Sequence, residues 1–176
     1  FHRAQSAVFL FTITSMRGQN CVWSEDTLLR FHLQEALQRI QMDAQSPEGF
    51  AMLIMDELNE EKLKHIKSAC HELTVRGDFI SKYSSVYHGV LTECSAQSFG
   101  IQLADFAAGA MNGYLRRALY DKSNYAFAKD LCDAYVLPRL RHHANGAIMG
   151  YGVREIPSNT TIRSTLLPLF QNIEFK

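Results

Sequence analysis

The sequence has no excess of charge of either sign: 18 Lys and Arg residues face 18 Asp and Glu residues, so the formal net charge is zero. A zero balance argues against a protein that coats nucleic acid by bulk charge, although it leaves room for a local basic patch. A composition that is 47% hydrophobic and 20% charged excludes intrinsic disorder and collagen-like repeats. The 176 residues suit one domain with a core of its own.

The sequence also lacks paired cysteines and long apolar runs. None of its four cysteines stands at Cys-x-x-Cys spacing, which argues against a zinc ribbon or a thioredoxin-type site. Scattered cysteines at this chain length are typical of small buried hydrophobic residues in a reduced cytoplasm. No apolar run reaches the roughly 18 residues of a membrane span, and the first residues lack the pattern of a signal peptide. We therefore expect a cytoplasmic protein without a membrane partner.

What the sequence does contain is an alternation of short apolar segments and amphipathic segments, which is typical of an α/β fold. Strands are predicted at Ser6–Thr14, at the six apolar residues Phe50–Met55 and at Val86–Thr92. The six-residue run predicts a central strand buried on both faces. Helices are predicted to begin at Ser24 and Asn59, and to span Ser98 to about Tyr120 and Asn124 to Leu137, with Pro138 at or beyond the end of the last.

Two acids, Asp56 and Glu57, directly follow the run Phe50–Met55. A carboxylate inside such a strand is costly to bury, whereas the carboxyl end of a strand is where open α/β sheets place their ligands. The alternative is that the chain simply becomes polar as it leaves the core. Glu93, at the end of the strand Val86–Thr92, is open to the same two interpretations.

A second candidate lies on the helix that begins near Ser98. Its residues are almost all apolar or small, and the exceptions, together with Gly109, follow one another at steps of three and four: Ser98, Gln102, Asp105, Asn112 and Arg116. At 3.6 residues per turn they form one narrow stripe. A helix this apolar is predicted to be buried nearly all round, so Asp105 would need a cation, a metal or hydrogen-bond donors as its partner.

Asp56 and Asp105 would meet in space if this helix packs beside the end of the strand. Carboxylate and water ligands suit Mg²⁺ or Mn²⁺ rather than zinc. Two such ions would hold a phosphodiester and activate water for in-line hydrolysis. The pattern therefore predicts a metal-dependent nuclease with Asp56 and Asp105 as metal ligands and Glu93 as a further candidate.

Other polar residues favour no single function. Five basic residues have two interpretations, a phosphate-binding patch or solvated helix ends: Arg116, Arg117, Lys122, Arg139 and Arg141. We interpret His142 and His143 as surface residues, because neighbours on a helix point about 100° apart. The sequence has neither a glycine-rich phosphate loop nor a nucleophile elbow.

The segment Ile101–Ala110, which reads Ile-Gln-Leu-Ala-Asp-Phe-Ala-Ala-Gly-Ala, resembles the last motif of a bacterial family. This is the domain-of-unknown-function family numbered thirty-eight hundred, whose members have a ribonuclease-H-like fold. Ser98 and Gly100 also fit the motif, and Leu53–Glu57 is similar to the preceding one, an apolar strand that ends in Asp-Glu. The resemblance covers roughly Val8 to Arg117 and implies an α/β fold with a ribonuclease-H-like mixed sheet flanked by helices.

The family opens with a strand that carries Asp-Glu-Ser-Gly, and this sequence has no such tetrapeptide. Val8–Thr14 resembles a later strand of that sheet. We therefore expect the opening strand to lie upstream of Phe1 and the chain to be N-terminally incomplete. The resemblance implies an acid site that those residues would complete, with Asp56, Asp105 and Glu57 contributed by this chain.

These observations predict one ribonuclease-H-like domain over residues 1–176, with its core at about 6–140 and an unassigned tail at 141–176. Its function is predicted as Mg²⁺- or Mn²⁺-dependent hydrolysis of DNA or RNA, with a role in defence or mobile-element biology as a further expectation. Asp56 and Asp105 would ligate metal, Glu57 would be a ligand or a base, and Gln102 and Ser98 would face water or substrate. The alternative is a non-catalytic binding or regulatory module whose acids pair with arginines. The oligomeric state stays open.

Overall fold

The structure, a computed structural model, describes residues 7–14, 23–45, 49–78, 80, 82–120, 125–158 and 160–175. Within these residues the chain is mixed α/β, as predicted. The strands are β1 (Phe11–Ile13), β2 (Ala51–Asp56), β3 (Val86–Glu93) and β4 (Val153–Glu155). The helices are α1 (Glu25–Asp43), α2 (Glu60–Arg76), α3 (Phe99–Tyr120), α4 (Ala126–Leu131) and α5 (Thr160–Leu166).

The chain divides into two compact units. The middle unit is Met16–Gln102, and the terminal unit combines Phe1–Ser15 with Leu103–Lys176. Each unit contains one small parallel sheet, which pairs β2 with β3 in the middle unit and β1 with β4 in the terminal unit. The single domain over residues 1–176 stays a prediction, because compact units of this kind can belong to one domain or to two.

The middle unit is a strand–helix–strand arrangement with α1 beside it. The side chain of Ser24 accepts a hydrogen bond from the Thr27 amide at the start of α1, and Asn59 accepts one from the Lys62 amide at the start of α2. Both predicted helix starts are thus confirmed. The core is formed by apolar residues from α1, α2, β3 and the turn before β3, namely Leu33, Leu37, Ile66, Cys70, Leu73, Tyr83, Val86 and Val90.

The prediction that β2 is buried on both faces is wrong. Ala51, Leu53 and Met55 pack against the core, but Met52 and Ile54 on the other face are 52% and 43% exposed. In the described part of the chain β2 pairs with β3 alone. A run of consecutive apolar residues shows that both faces of a strand are apolar, but it does not show what covers them.

The terminal unit places β1 beside β4 in register, from Phe11 opposite Val153 to Ile13 opposite Glu155. Its core draws on the inner side of α3, the α4 region and residues beyond 139: Ala107, Ala110, Met111, Tyr114, Leu115, Cys132, Val136, Leu137, Leu140, Ile148, Val153, Leu166 and Phe170. The tail left unassigned by its sequence therefore contributes a strand and a helix to this unit.

Two predicted elements of the terminal unit differ from the observed ones. The strand predicted over Ser6–Thr14 is observed only at Phe11–Ile13, and Ser6 lies outside the described residues. The helix predicted over Asn124–Leu137 is α4 followed by a π-helical turn at Cys132–Val136 and a 3₁₀ turn at Leu137–Arg139. Pro138 lies in this last turn, because its ring and missing N–H do not allow an α-helix to continue. Asn124 is outside the described part.

Candidate active site

Asp56 and Glu93 end the two parallel strands of the middle unit. They are register partners in the β2–β3 pairing. Register partners on adjacent strands leave the sheet on the same side, and the strands are about 4.8 Å apart. The Asp56 and Glu93 side chains thus leave neighbouring backbone positions at the carboxyl edge of this sheet, where α/β proteins bind ligands.

The Asp56 carboxylate is held by two backbone amides. Its Oδ1 accepts hydrogen bonds from the Glu57 amide at 2.9 Å and from the Ser95 amide at 3.1 Å. Ser95 lies just beyond β3, so the second bond ties the end of β2 to the segment after β3. Among the described residues both hydrogen bonds of this carboxylate go to Oδ1, which leaves Oδ2 available to a ligand.

The segment after β3 is fixed by a turn that leads into α3. The amides of Gln97 and Ser98 both donate to the Cys94 carbonyl, at 2.9 and 3.1 Å. The side chain of Gln102 reaches back from the first turn of α3 and donates to the Ser95 carbonyl at 2.8 Å. Gln102 therefore positions the residue that holds Asp56. Its predicted contact with water or phosphate stays a prediction, as does the substrate contact of Ser98, which is buried.

Asp105 lies on the part of α3 that belongs to the terminal unit, and it is exposed. The prediction that α3 is buried nearly all round is wrong. The polar stripe from Gln102 to Arg116 is exposed together with small and apolar neighbours, among them Ala104, Phe106 and Ala108. Small apolar residues are common on protein surfaces, so an apolar composition does not by itself show burial. The meeting of Asp105 with Asp56 stays a prediction.

In the described part of the chain, none of the four candidate acids lies in an ion pair. These acids are Asp56, Glu57, Glu93 and Asp105. Acids elsewhere in the middle unit do pair. Glu72 accepts a hydrogen bond from Arg30 at 2.6 Å, which holds the pKa of Glu72 below its ordinary value. The alternative function, a binding module whose acids pair with arginines, predicts such Arg–Glu or Arg–Asp pairs at the strand ends.

The described residues contain no group of three His, Cys, Asp or Glu side chains placed to hold a metal. Asp56 and Glu93 still fit a hard divalent cation in part, because Mg²⁺ keeps several waters and is often bound by one or two carboxylates plus substrate phosphates. The set does not fit zinc in a closed structural site, which needs four nitrogen or sulfur ligands.

Sequence reasoning gave too little weight to two residues of this site. Glu93 is the register partner of Asp56. The sequence signal for Glu93 was its position at the carboxyl end of a second predicted strand. Ser95 acts through its backbone amide, for which no residue type gives a signal.

Comparisons with protein-family models, curated proteins and solved structures return no match for this chain. The resemblance carried by Leu53–Glu57 and Ile101–Ala110 therefore stays a prediction. Among the described residues no helix is both long enough and apolar enough to cross a membrane.

Proposed function

We propose that this chain is a divalent-metal-dependent nuclease of ribonuclease-H-like type, which hydrolyses phosphodiester bonds of DNA or RNA. The observation that carries the proposal is the register pairing of Asp56 with Glu93 at the carboxyl ends of β2 and β3. A parallel strand pair joined through a helix, with acids at its carboxyl edge, supports a ligand site at that edge.

In this proposal Asp56 and Glu93 would hold one Mg²⁺ or Mn²⁺ ion. The ion, when bound, supplies a Lewis acid that neutralises phosphate charge and makes bound water more acidic. The amide of Ser95 keeps the Asp56 carboxylate in one orientation, so that Oδ2 is presented to the ligand. Glu57, exposed beside Asp56, accepts the proton of the attacking water.

The proposal is tested by calorimetric titration of the chain with Mn²⁺ and Mg²⁺, followed by cleavage assays on single- and double-stranded DNA and RNA. We expect Asp56→Asn and Glu93→Gln each to weaken Mn²⁺ binding by about tenfold or more, since each removes one of the few protein ligands. Glu61→Gln is the matched control, because Glu61 is an exposed acid in the first turn of α2.

Equal Mn²⁺ affinity in all three variants and the wild type would overturn the proposal. So would cleavage that survives Asp56→Asn unchanged. A chain that binds neither metal would instead favour the non-catalytic module.

A further inference from the structure

The terminal unit contains a stretch of sequence without any acid. Residues 134–154 include three arginines, two histidines and two tyrosines, and neither Asp nor Glu. The whole terminal unit has ten Lys and Arg against six Asp and Glu, whereas the middle unit has eight against twelve. The zero net charge is therefore the sum of a basic unit and an acidic one. The acid-free stretch is a local source of positive potential.

Within this stretch one aromatic ring contacts two cationic or titratable side chains. The Arg141 guanidinium lies over the Tyr151 ring at 5.8 Å from its centroid, and its Nη1 donates to the Tyr151 carbonyl at 3.4 Å. The ring of His143 lies 4.7 Å from the same Tyr151 ring, tilted by 41°. Gly152 permits this approach, because a Cβ at that position would stand 1.9 Å from the Arg141 carbonyl oxygen.

His142, the residue between Arg141 and His143, forms a second ring pair. Its ring is stacked on Phe175, with the centroids 3.6 Å apart and the planes at 21°. Its Nδ1 donates to the Leu140 carbonyl at 2.9 Å, which fixes the orientation of the ring. His142 and His143 are exposed, whereas Tyr151 and Phe175 are only partly exposed. The histidines are therefore the outer members of the two pairs.

We propose that the surface formed by Arg141, His142, His143, Tyr151 and Phe175 binds single-stranded nucleic acid. Orientated rings stack on unpaired bases whatever the sequence, and guanidinium groups attract the backbone phosphates. In a duplex the faces of the bases are stacked on one another and out of reach of these rings. The inference goes beyond the proposed function, because this surface belongs to the terminal unit and its binding of single strands does not depend on the acids of the middle unit.

The experiment measures fluorescence anisotropy of a labelled single-stranded oligonucleotide and of the same sequence as a duplex. It is done in EDTA, so that cleavage plays no part. We expect the single strand to bind at least about tenfold more tightly than the duplex. The double variant His142→Ala/His143→Ala weakens single-strand binding by at least about fivefold, as expected for the loss of base stacking.

The matched control is His65→Ala/His88→Ala, which removes two exposed histidines of the middle unit and leaves binding unchanged. Arg141→Gln removes about one phosphate contact. The slope of the logarithm of the binding constant against the logarithm of the salt concentration therefore becomes shallower by about 0.7 for a single strand. Circular dichroism melting checks that each variant folds. Proton NMR of the wild-type histidine rings, which shift when a base stacks on them, gives a readout that needs no variant.

Several results would overturn the inference: equal affinity for duplex and single strand, wild-type binding by the His142→Ala/His143→Ala variant, unshifted histidine signals, or no binding of either oligonucleotide. Displacement by polyglutamate as effective as by unlabelled oligonucleotide would assign the surface to an acidic peptide instead. The proposed function fails separately: single-strand binding without metal-dependent cleavage removes the nuclease and leaves this surface. Wild-type single-strand binding by the ring variant, with metal-dependent cleavage intact, removes the surface and leaves the nuclease.

Discussion

The two compact units carry opposite charge and differ in the exposure of the acids at the carboxyl ends of their parallel strands. The middle unit, with eight basic and twelve acidic residues, places its candidate acids at the exposed carboxyl edge of β2 and β3. The terminal unit, with ten basic and six acidic residues, buries an acid at the corresponding edge of its own sheet. An acid at the end of a parallel strand can thus be exposed to solvent and to a ligand, or it can be buried and paired with a cation of the protein.

Inside the middle unit, buried polar groups are satisfied by neutral partners and by one ion pair, in which the buried Arg39 donates to the Glu35 carboxylate at 2.5 Å. Asp78 accepts hydrogen bonds from Gln38 at 2.6 Å and from the hydroxyl of Tyr83. Gln41 accepts one from the Ser85 amide at 2.9 Å. Burial, followed by the hydrogen bond to Asp78, raises the pKa of Tyr83. The hydrogen bonds from Gln38 and Tyr83 come from neutral donors, and they help to satisfy the half-buried Asp78 carboxylate.

Inside the terminal unit, the acid at the end of β4 is paired with a cation. Glu155 is 1% exposed, and its Oε1 accepts from Arg163 at 2.7 Å. Its Oε2 and the Nε of Arg163 have no partner among the described residues. The Ser158 hydroxyl also donates to Oε1, at 3.4 Å, so Arg163 supplies the only described cation that compensates the buried Glu155 charge.

The largest expected effect tests whether the two units differ in their apolar cores as well as in charge. Leu37 of the middle unit is fully buried and Leu140 of the terminal unit is 1% exposed. We expect Leu37→Ala and Leu140→Ala each to lower the free energy of unfolding by about 3 kcal/mol, from lost burial and the cavity left behind. Urea unfolding measures both values.

Met42→Ala is the control, because Met42 is 55% exposed on the same helix as Leu37, and it should cost less than about 0.5 kcal/mol. A cost near this control for either buried leucine would show that its unit lacks a stabilising core.

The next effect tests the buried ion pair of the terminal unit. We expect Arg163→Met to lower the free energy of unfolding by about 2–3 kcal/mol, because it leaves the Glu155 carboxylate buried without its cation. The value lies below that of a fully buried pair since the Arg163 side chain is 41% exposed. Adding Glu155→Gln removes the buried charge and should recover most of the loss, again measured by urea unfolding.

Arg30→Met in the middle unit provides the comparison, because the Arg30–Glu72 pair is exposed on both sides and its loss should leave the unfolding midpoint almost unchanged. Equal destabilisation by Arg163→Met and Arg30→Met would remove the difference between the units.

The predictions from sequence succeeded where a local pattern determines the structure. The caps Ser24 and Asn59 and the long helix α3 follow from residue types over a few positions, and they are observed. The acids at the end of β2 were recognised because a run of six apolar residues precedes them. Glu155 was not recognised, since β4 has three residues and no apolar run to mark a strand end.

The burial of each face of a strand or helix could not be predicted, because it depends on elements that are distant in the sequence. Met52 and Ile54 are as apolar as Leu53, yet they are exposed, and Asp105 is exposed on a helix whose composition predicted burial. Whether Asp105 joins Asp56 is the same kind of long-range question. The register that places Glu93 beside Asp56 is long-range as well, and the sequence marked Glu93 only as an acid at the end of a predicted strand.

The smallest expected effect concerns pH and compares two buried tyrosines, one in each unit. Burial raises the pKa of Tyr114 from 10.0 to about 12, and its hydroxyl donates to the Leu169 carbonyl at 2.9 Å. The unfolded chain releases this proton near pH 10 and the folded chain only near pH 12. The contribution of Tyr114 is therefore fully present below pH 10 and is lost as the pH rises from 10 to 12, by of the order of 1 kcal/mol per pH unit.

Tyr114→Phe should remove this part of the alkaline loss, and it should cost about 1 kcal/mol at neutral pH because the Leu169 carbonyl loses its donor. Urea unfolding at pH 8 to 12 measures both effects, with Tyr135→Phe as the control because Tyr135 is 56% exposed. Tyr83 of the middle unit has a raised pKa too, so Tyr83→Phe should also flatten the fall in the free energy of unfolding at alkaline pH. If only Tyr114→Phe flattens it, the hydrogen bond from Tyr83 to Asp78 does not retain the Tyr83 proton.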